Sequence, residues 1–381
     1  MLVLNNFMNK ILARYVIYTK ILQWVNFDFL SFLGKDVNSF LRKFTDNAPY
    51  TTEDIDYEAL ERLKTLGKKY NISIGEIPIN SGTVSLVFRG TITCDDKDRQ
   101  IAIKLLRKNI KSKIESCVNN VEWILSFLKY IPIVNTLDLD MIFTDFKGNL
   151  IGQTDFVNEA KNIKMFNDKL CKHQKIKTFK FIEELSFENL IVMEFVEGIS
   201  IFKLNDIDKR SFAESLSVTI FYSQMRKQLF HLDLHPGNIL YTPDKKICYL
   251  DLGMMLILEV DECNFILDFL DLLIERNNTV ETLRKLLRLH KKCIFRDKSP
   301  ADSFIDNIIV KNPGIFDKKD NLSIVIDTKT LITELNSSGY KISKRINQIL
   351  FGFLSFINIF VSLGENMYDI TIKNIEKYSG N

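Results

Sequence analysis

The stretch from residue 72 to residue 105 constrains this chain most. Three short apolar runs, ISIGEI, VSLVFRGTITC and IAIKLL, are separated by Asn80-Ser81-Gly82 and by Asp95-Asp96-Lys97-Asp98. Short runs rich in β-branched residues and bounded by turn formers predict a small antiparallel sheet with hairpin connections. Before it, apolar residues recur at helical spacing through Ile11, Val16, Ile17, Ile21, Leu22 and Val25. Asn47 and Pro49 interrupt that pattern, and Thr51-Thr52-Glu53-Asp54 supplies a helix start before Tyr57 to Leu66. After the sheet come helical patterns from about Lys111 to Tyr130 and from about Asp155 to Lys169, then a strand over Leu190 to Glu194. Beyond Gly198 the chain reads as mostly helical, except for Phe230 to Gly253, which has loop chemistry and two short apolar runs. Strands first and helices afterwards predict an α+β protein with segregated lobes.

The 381 residues suit two domains at the usual ~100–200 residues each. Three regions are expected: a helical N-terminal extension (1–70), a sheet lobe with inserted helices (71–194) and a helical lobe (195–381). The hydrophobic fraction of 46% and charged fraction of 26% exclude a disordered or collagen-like chain. Lys plus Arg number 51 against 48 Asp plus Glu, and so even a balance argues against nucleic acid as the partner. Cys94, Cys117, Cys171, Cys248, Cys263 and Cys293 form no CxxC pair. That pattern suits free thiols in a reducing, intracellular compartment rather than a zinc site.

Two segments bear on membranes and targeting. Ile349 to Val361, ILFGFLSFINIFV, includes Ser355 and Asn358 and falls short of the about 20 apolar residues of a span, so a core or interfacial helix is expected. The first thirty residues carry Lys10, Arg14 and Lys20 and no acid before Asp28. They fit a basic amphipathic presequence or, as the preferred reading, an ordinary helix of the folded protein.

The chemistry concentrates in His231-Leu-Asp233-Leu-His235-Pro-Gly-Asn238, followed by Asp251-Leu252-Gly253. Phosphoryl transfer needs an Asp at the attacking hydroxyl and oxygen ligands for Mg²⁺ beside the phosphates. H-x-D-x-x-x-x-N with a later D-x-G supplies both: Asp233 as base or orienting residue, Asn238 and Asp251 as metal ligands. Asp-Leu-Gly alone would be an ordinary turn; the joint spacing is what carries weight. His231 and His235 are expected to be structural. Ile101-Ala102-Ile103-Lys104 matches the strand lysine that contacts nucleotide phosphates. Its expected helix partner is Glu159, with Glu115 and Glu122 as alternatives. The turn Pro78-Ile-Asn-Ser81-Gly82-Thr83 offers backbone N–H groups to phosphates, although a plain hairpin turn explains it equally well.

These motifs together resemble the UbiB family of atypical protein-kinase-like proteins, which includes the ADCK and COQ kinases. Phe230 to Gly253 resembles its HxDxHPGN…LDFG block, with Leu252 in place of Phe, and Asp155 to Asn162 its D-x-x-x-E-A-x-N block. Pro78 to Gly90 resembles the family's alanine-rich nucleotide loop, here Asn80-Ser81-Gly82-Thr83, and Val192 to Gly198 its hinge. Tyr18 to Trp24 resembles the K-x-G-Q element, with Leu22 for the glycine, and Lys43 to Pro49 the stretch that follows it. Residues 260–381 match no family motif.

The resemblance implies a two-lobe kinase-like fold and ATP or ADP with Mg²⁺ as cofactors. It implies catalytic roles for Asp233, Lys104 and Glu159, and nucleotide contacts at Lys104, Ser81, Gly82, Thr83, Glu194 and Val196. It also implies a helix bearing Lys20 and Gln23 laid as a lid over the site, the bland alternative being a solvent-facing amphipathic helix with Trp24 in the core. A link to ubiquinone or other lipid metabolism, a membrane surface and a mitochondrial site follow from the same likeness. The runner-up readings are a phosphotransferase of the aminoglycoside or choline kinase type and a nucleotide-gated module without catalysis.

Overall fold

The computed structural model describes residue 17 and residues 48–94, 97–128, 139–275 and 277–371. Lys20, Gln23 and Trp24, and with them the expected lid, lie outside the described residues. The chain divides into two compact units: residues up to Met165 with Phe179–Val196, and Phe166–Thr178 with the chain from Glu197 onward. The first crossing falls inside one helix, Phe156–Leu170.

The first unit is a sheet backed by a helix. Helix α1 (Tyr57–Leu66) begins where Asp56 accepts a hydrogen bond from the Ala59 N–H at 3.1 Å. Strands β1 (Ser73–Ile74), β2 (Asn80–Ser81), β3 (Ser85–Cys94), β4 (Lys97–Leu106) and β5 (Leu190–Glu194) form one antiparallel sheet. The β3–β4 hairpin runs from Cys94 opposite Lys97 to Ser85 opposite Leu106. Strand β4 also pairs with β5, Ile101 opposite Glu194 and Leu105 opposite Leu190. Paired on both sides, the second half of β4 is buried, while Lys97–Gln100 before it is exposed.

Side chains alternate across a strand. Ile101, Ile103 and Leu105 therefore share one face, where they pack with Leu60 and Leu63 of α1 and Phe88 of β3. Burying each such side chain is worth about 1.5–3 kcal/mol. Ala102 and Lys104 fall on the opposite face. Helices α2 (Ile110–Leu128), α3 (Leu139–Gly152) and α4 (Phe156–Leu170) follow β4. The sequence reading does not anticipate α3, because Gly148 within it and Gly152 at its end weigh against a helix.

The second unit holds strand β6 (Ile199–Ser200), helix α5 (Asp206–Phe221) and strands β7 (Leu229–His231), β8 (Ile239–Tyr241), β9 (Ile247–Tyr249) and β10 (Met255–Ile257). Strands β6, β8 and β9 make one small sheet, and β7 and β10 a separate ladder. Helices α6 (Val260–Ile274), α7 (Thr279–Leu289), α8 (Lys291–Ile294), α9 (Asp302–Lys311), α10 (Asn321–Ser337) and α11 (Lys344–Leu363) complete it.

Helix α11 contains the apolar run read from the sequence but is longer, 20 residues, because Ser343 caps it and it ends at Gly364, in the left-handed region. By length and composition it could cross a bilayer, yet 67% of its most apolar window is buried in the protein. Ile349, Phe353, Phe356 and Phe360 are among its buried residues. Among the described residues Cys117, Cys171, Cys248, Cys263 and Cys293 are free thiols.

Candidate active site

In the first unit the sheet presents Lys104 to α4. Asp155 starts that helix by accepting the Asn158 N–H at 2.9 Å. Glu159 and Phe156 are three residues apart and so neighbours on its surface. Both meet the lysine: Glu159 Oε1 lies 2.6 Å from Lys104 Nζ, and the Phe156 ring centroid lies 5.3 Å from it. The carboxylate is 2% exposed and the lysine side chain 9%. A pair so deeply buried is costly to break, because the remaining charge is stranded in a poor solvent. Glu115 is exposed, and Glu122 pairs with Lys147 at 2.9 Å. Phe156 was not singled out in the sequence, and a phenylalanine beside a capping Asp gives no signal of its role.

The turn between β2 and β3 is closed by the Gly82 N–H on the Ser85 carbonyl at 2.9 Å. Ser81 and Thr83 are buried. The Ser81 hydroxyl donates to the Ala48 carbonyl at 2.6 Å and accepts from Arg107 at 2.9 Å, so it is committed within the protein. In the stretch expected to be the hinge, Glu194 bonds Lys180 through both its main chain and its carboxylate, at 2.8 and 3.0 Å, and Val196 is buried.

In the second unit two ladders bring the His231–Asn238 sequence and the Asp-Leu-Gly turn together. His231 pairs with Met255, and Ile239 with Tyr249. Between these pairings, the Leu232 N–H reaches the Met254 carbonyl at 2.9 Å and the Leu250 N–H reaches the Asn238 carbonyl at 2.8 Å. Asp233 and Asp251 therefore lie in two loops fixed at both ends by hydrogen bonds to each other.

His231 joins the loops. Its Nε2 donates to the Asp251 carbonyl at 2.7 Å, while its Nδ1 accepts the Asp233 N–H at 3.2 Å. That pattern requires the neutral ring protonated on Nε2. Burial, the largest influence, pushes its pKa below the ordinary value, against the raising effect of Asp251 and Asp233. His235 accepts the Gly237 N–H at 3.2 Å. Both histidines thus shape the loops.

Asp233, Asn238 and Asp251 are half-buried. The Asn238 amide nitrogen donates to the Asp233 carbonyl at 3.3 Å, which leaves the amide oxygen as the atom for a cation. Asp251 Oδ1 accepts the Gly253 N–H at 2.9 Å, fixing the carboxylate's orientation. One carboxylate and one amide oxygen are hard donors that fit Mg²⁺, which is usually held by one or two carboxylates together with phosphates and water. Among the described residues there is no group of three or more His, Cys, Asp or Glu arranged to hold a metal.

The small antiparallel sheet unit, the helical unit and the two loops define a protein-kinase-like fold. The chain matches the ABC1 atypical kinase-like domain over residues 43–282 and belongs to that family. It is 28% identical over 220 residues to the probable protein kinase UbiB of Shewanella baltica, covering 56% of this chain and 40% of that protein. It is 26% identical over 233 residues to the uncharacterized protein slr1919 of Synechocystis, covering 58% and 40%. An uncharacterized aarF domain-containing protein kinase of Arabidopsis thaliana is 26% identical over 211 residues, covering 54% and 29%. The match thus spans well under half the length of each of these relatives. The structure of the Mycobacterium tuberculosis Rv3197–erythromycin complex has the same fold, with a TM-score of 0.52, 14% identity and coverage of 91% and 97%.

Proposed function

We propose that this protein binds a magnesium-nucleotide, ATP or ADP, and transfers or hydrolyses its terminal phosphate. The observation that carries this reading is the buried Lys104–Glu159 pair at 2.6 Å. A charged pair held this far from water stabilises a fold less well than apolar residues of the same size. A site that needs a fixed cation for phosphates accounts for it.

Lys104, oriented by Glu159, would hold the α- and β-phosphates. From the turn Ser81-Gly82-Thr83 the Thr83 N–H would contribute, since the Ser81 hydroxyl and the Gly82 N–H are already engaged. Glu194 and Val196 would flank the base. Asn238 and Asp251 would hold the ion, which when bound offsets charge on the phosphate oxygens. Asp233 would orient the acceptor hydroxyl or attacking water and take its proton. His231, neutral and bonded to both loops, would keep Asp233 and Asp251 in register.

The proposed acceptor is a small or lipid-linked molecule, in or near ubiquinone or other lipid metabolism. That extension rests on the family. Helix α11, long and apolar, is compatible with a membrane neighbour.

The test is a thermal-shift series with ATP, ADP and Mg²⁺, followed by phosphate release with and without lipid vesicles. The expected result is Mg²⁺-dependent stabilisation and slow release. Stabilisation with no release under any lipid condition would favour a nucleotide-gated module, and no stabilisation would overturn the reading.

A further inference from the structure

Arg107 lies three residues beyond Lys104, at the end of β4, and is 4% exposed. A guanidinium has five N–H donors in a planar fork, and here all five have acceptors. Nε donates to the Gly82 carbonyl at 3.0 Å. Nη1 donates to the Pro49 carbonyl at 2.9 Å and to Asp54 Oδ2 at 3.0 Å. Nη2 donates to the Ala48 carbonyl at 3.3 Å and to Ser81 Oγ at 2.9 Å. The Arg107 N–H takes the Val84 carbonyl at 2.9 Å.

Two separate segments thus converge on one side chain. One is the Ser81–Val84 turn and the other is Ala48–Asp54. They also touch directly, through the Ala48 N–H on the Ser81 carbonyl at 2.7 Å. Asp54 is in turn held by Lys113 at 2.9 Å and by the Thr51 N–H at 3.1 Å. Burial raises its pKa, but these bonds and the Arg107 charge outweigh burial and keep the carboxyl below its usual range.

The geometry has a consequence for the turn. In a trans peptide the N–H points opposite to the C=O. Because the Gly82 carbonyl is aimed at the guanidinium, the Thr83 N–H is aimed away from it. The Ser81, Gly82 and Val84 carbonyls are bonded to Ala48 and Arg107 and the Gly82 N–H to the Ser85 carbonyl, which leaves the Thr83 N–H as a donor turned toward the side an anion could occupy.

We propose that Arg107 is a positioning residue that fixes the Ser81–Val84 turn against the Ala48–Asp54 segment and so sets the affinity for the nucleotide phosphates. The inference rests on the nucleotide reading above. Lysine, with three donors on a flexible stem, cannot replace the fork.

The experiment uses the full chain as wild type, R107K and S81A. Mg–ATP binding and phosphate release are measured as a function of nucleotide, with amide hydrogen exchange followed by mass spectrometry. R107K is expected to weaken Mg–ATP binding about tenfold or more, as loss of charge-assisted hydrogen bonds does, with turnover at saturating nucleotide little changed. Exchange is expected to quicken in 48–54 and 80–86 and to stay as in wild type in 190–194. S81A is expected to shift affinity in the same direction and by less.

A wild-type chain that binds Mg–ATP and an R107K chain that binds it equally well would overturn the inference alone. That includes an R107K chain that is merely less stable. A wild-type chain without binding would overturn the nucleotide reading and the inference with it. Should R107K not fold, S81A decides: unchanged affinity and exchange would overturn the positioning role.

Discussion

Gly352 of α11 lies so close to Phe230 of β7 that a β-carbon at position 352 would overlap Phe230 Cε1 and stand 3.1 Å from the His231 carbonyl oxygen. The missing side chain is what lets helix α11 rest directly on the strand that leads into the His231–Asn238 sequence. Residues 283–381 lie beyond the matched family domain, yet one of their glycines packs against the strand that enters the His231–Asn238 loop. Gly352→Ala should displace the Phe230 ring and destabilise the protein by about 1–3 kcal/mol, the usual cost of overpacking. Denaturant melts test this, and a neutral substitution would show that the helix has room to shift.

Breaking the Lys104–Glu159 pair should separate stability from chemistry. Glu159→Gln leaves Lys104 without its carboxylate and should cost about 3–5 kcal/mol. Replacing both, as Lys104→Met with Glu159→Leu, should recover much of that stability without recovering nucleotide turnover. A double variant less stable than Glu159→Gln would contradict the desolvation argument.

Asp251 and Asp233 should part company in binding assays. Asp251→Asn removes the proposed charged metal ligand and should abolish the Mg²⁺-dependent thermal shift, since an amide is a weak ligand for this ion. Asp233→Asn should leave nucleotide binding nearly intact while turnover disappears, because its proposed place is at the acceptor. Equal loss of binding in both variants would return Asp233 to a structural role.

His231 should make the protein sensitive to acid in a defined direction. Its folded pKa is lowered from the ordinary 6.5, chiefly by burial and also by the neighbouring His235. The unfolded chain therefore takes up a proton first as pH falls. Stability is fully present above about 6.5 and declines below it until the folded ring also titrates. Urea melts between about pH 8 and about pH 5 should show that decline, and His231→Gln should flatten it. An equally steep decline in the variant would assign it to another group, such as His173, whose pKa burial also lowers.

Sequence alone determined the features that are local. Alternation gave the sheet, helical spacing gave α4 and the apolar part of α11, and the spacing from His231 to Gly253 fits within two short ladders, where few residues separate the groups that act together. It favoured Glu159 as the partner of Lys104 on motif grounds but kept Glu115 and Glu122 as alternatives, because all three lie on helices at distances along the chain that fix no contact. Packing decided among them: Glu115 faces outward, Glu122 holds Lys147, and Glu159 is buried against Lys104. The role of Arg107 was equally hidden, since its acceptors come from Ala48–Asp54 and Ser81–Gly82 and meet only when both reach the end of β4. Gly352 reads as an ordinary helix glycine until Phe230 is seen against it. Spacing records contacts within one element, whereas charge pairing and close packing between distant segments are set by which faces the fold turns inward.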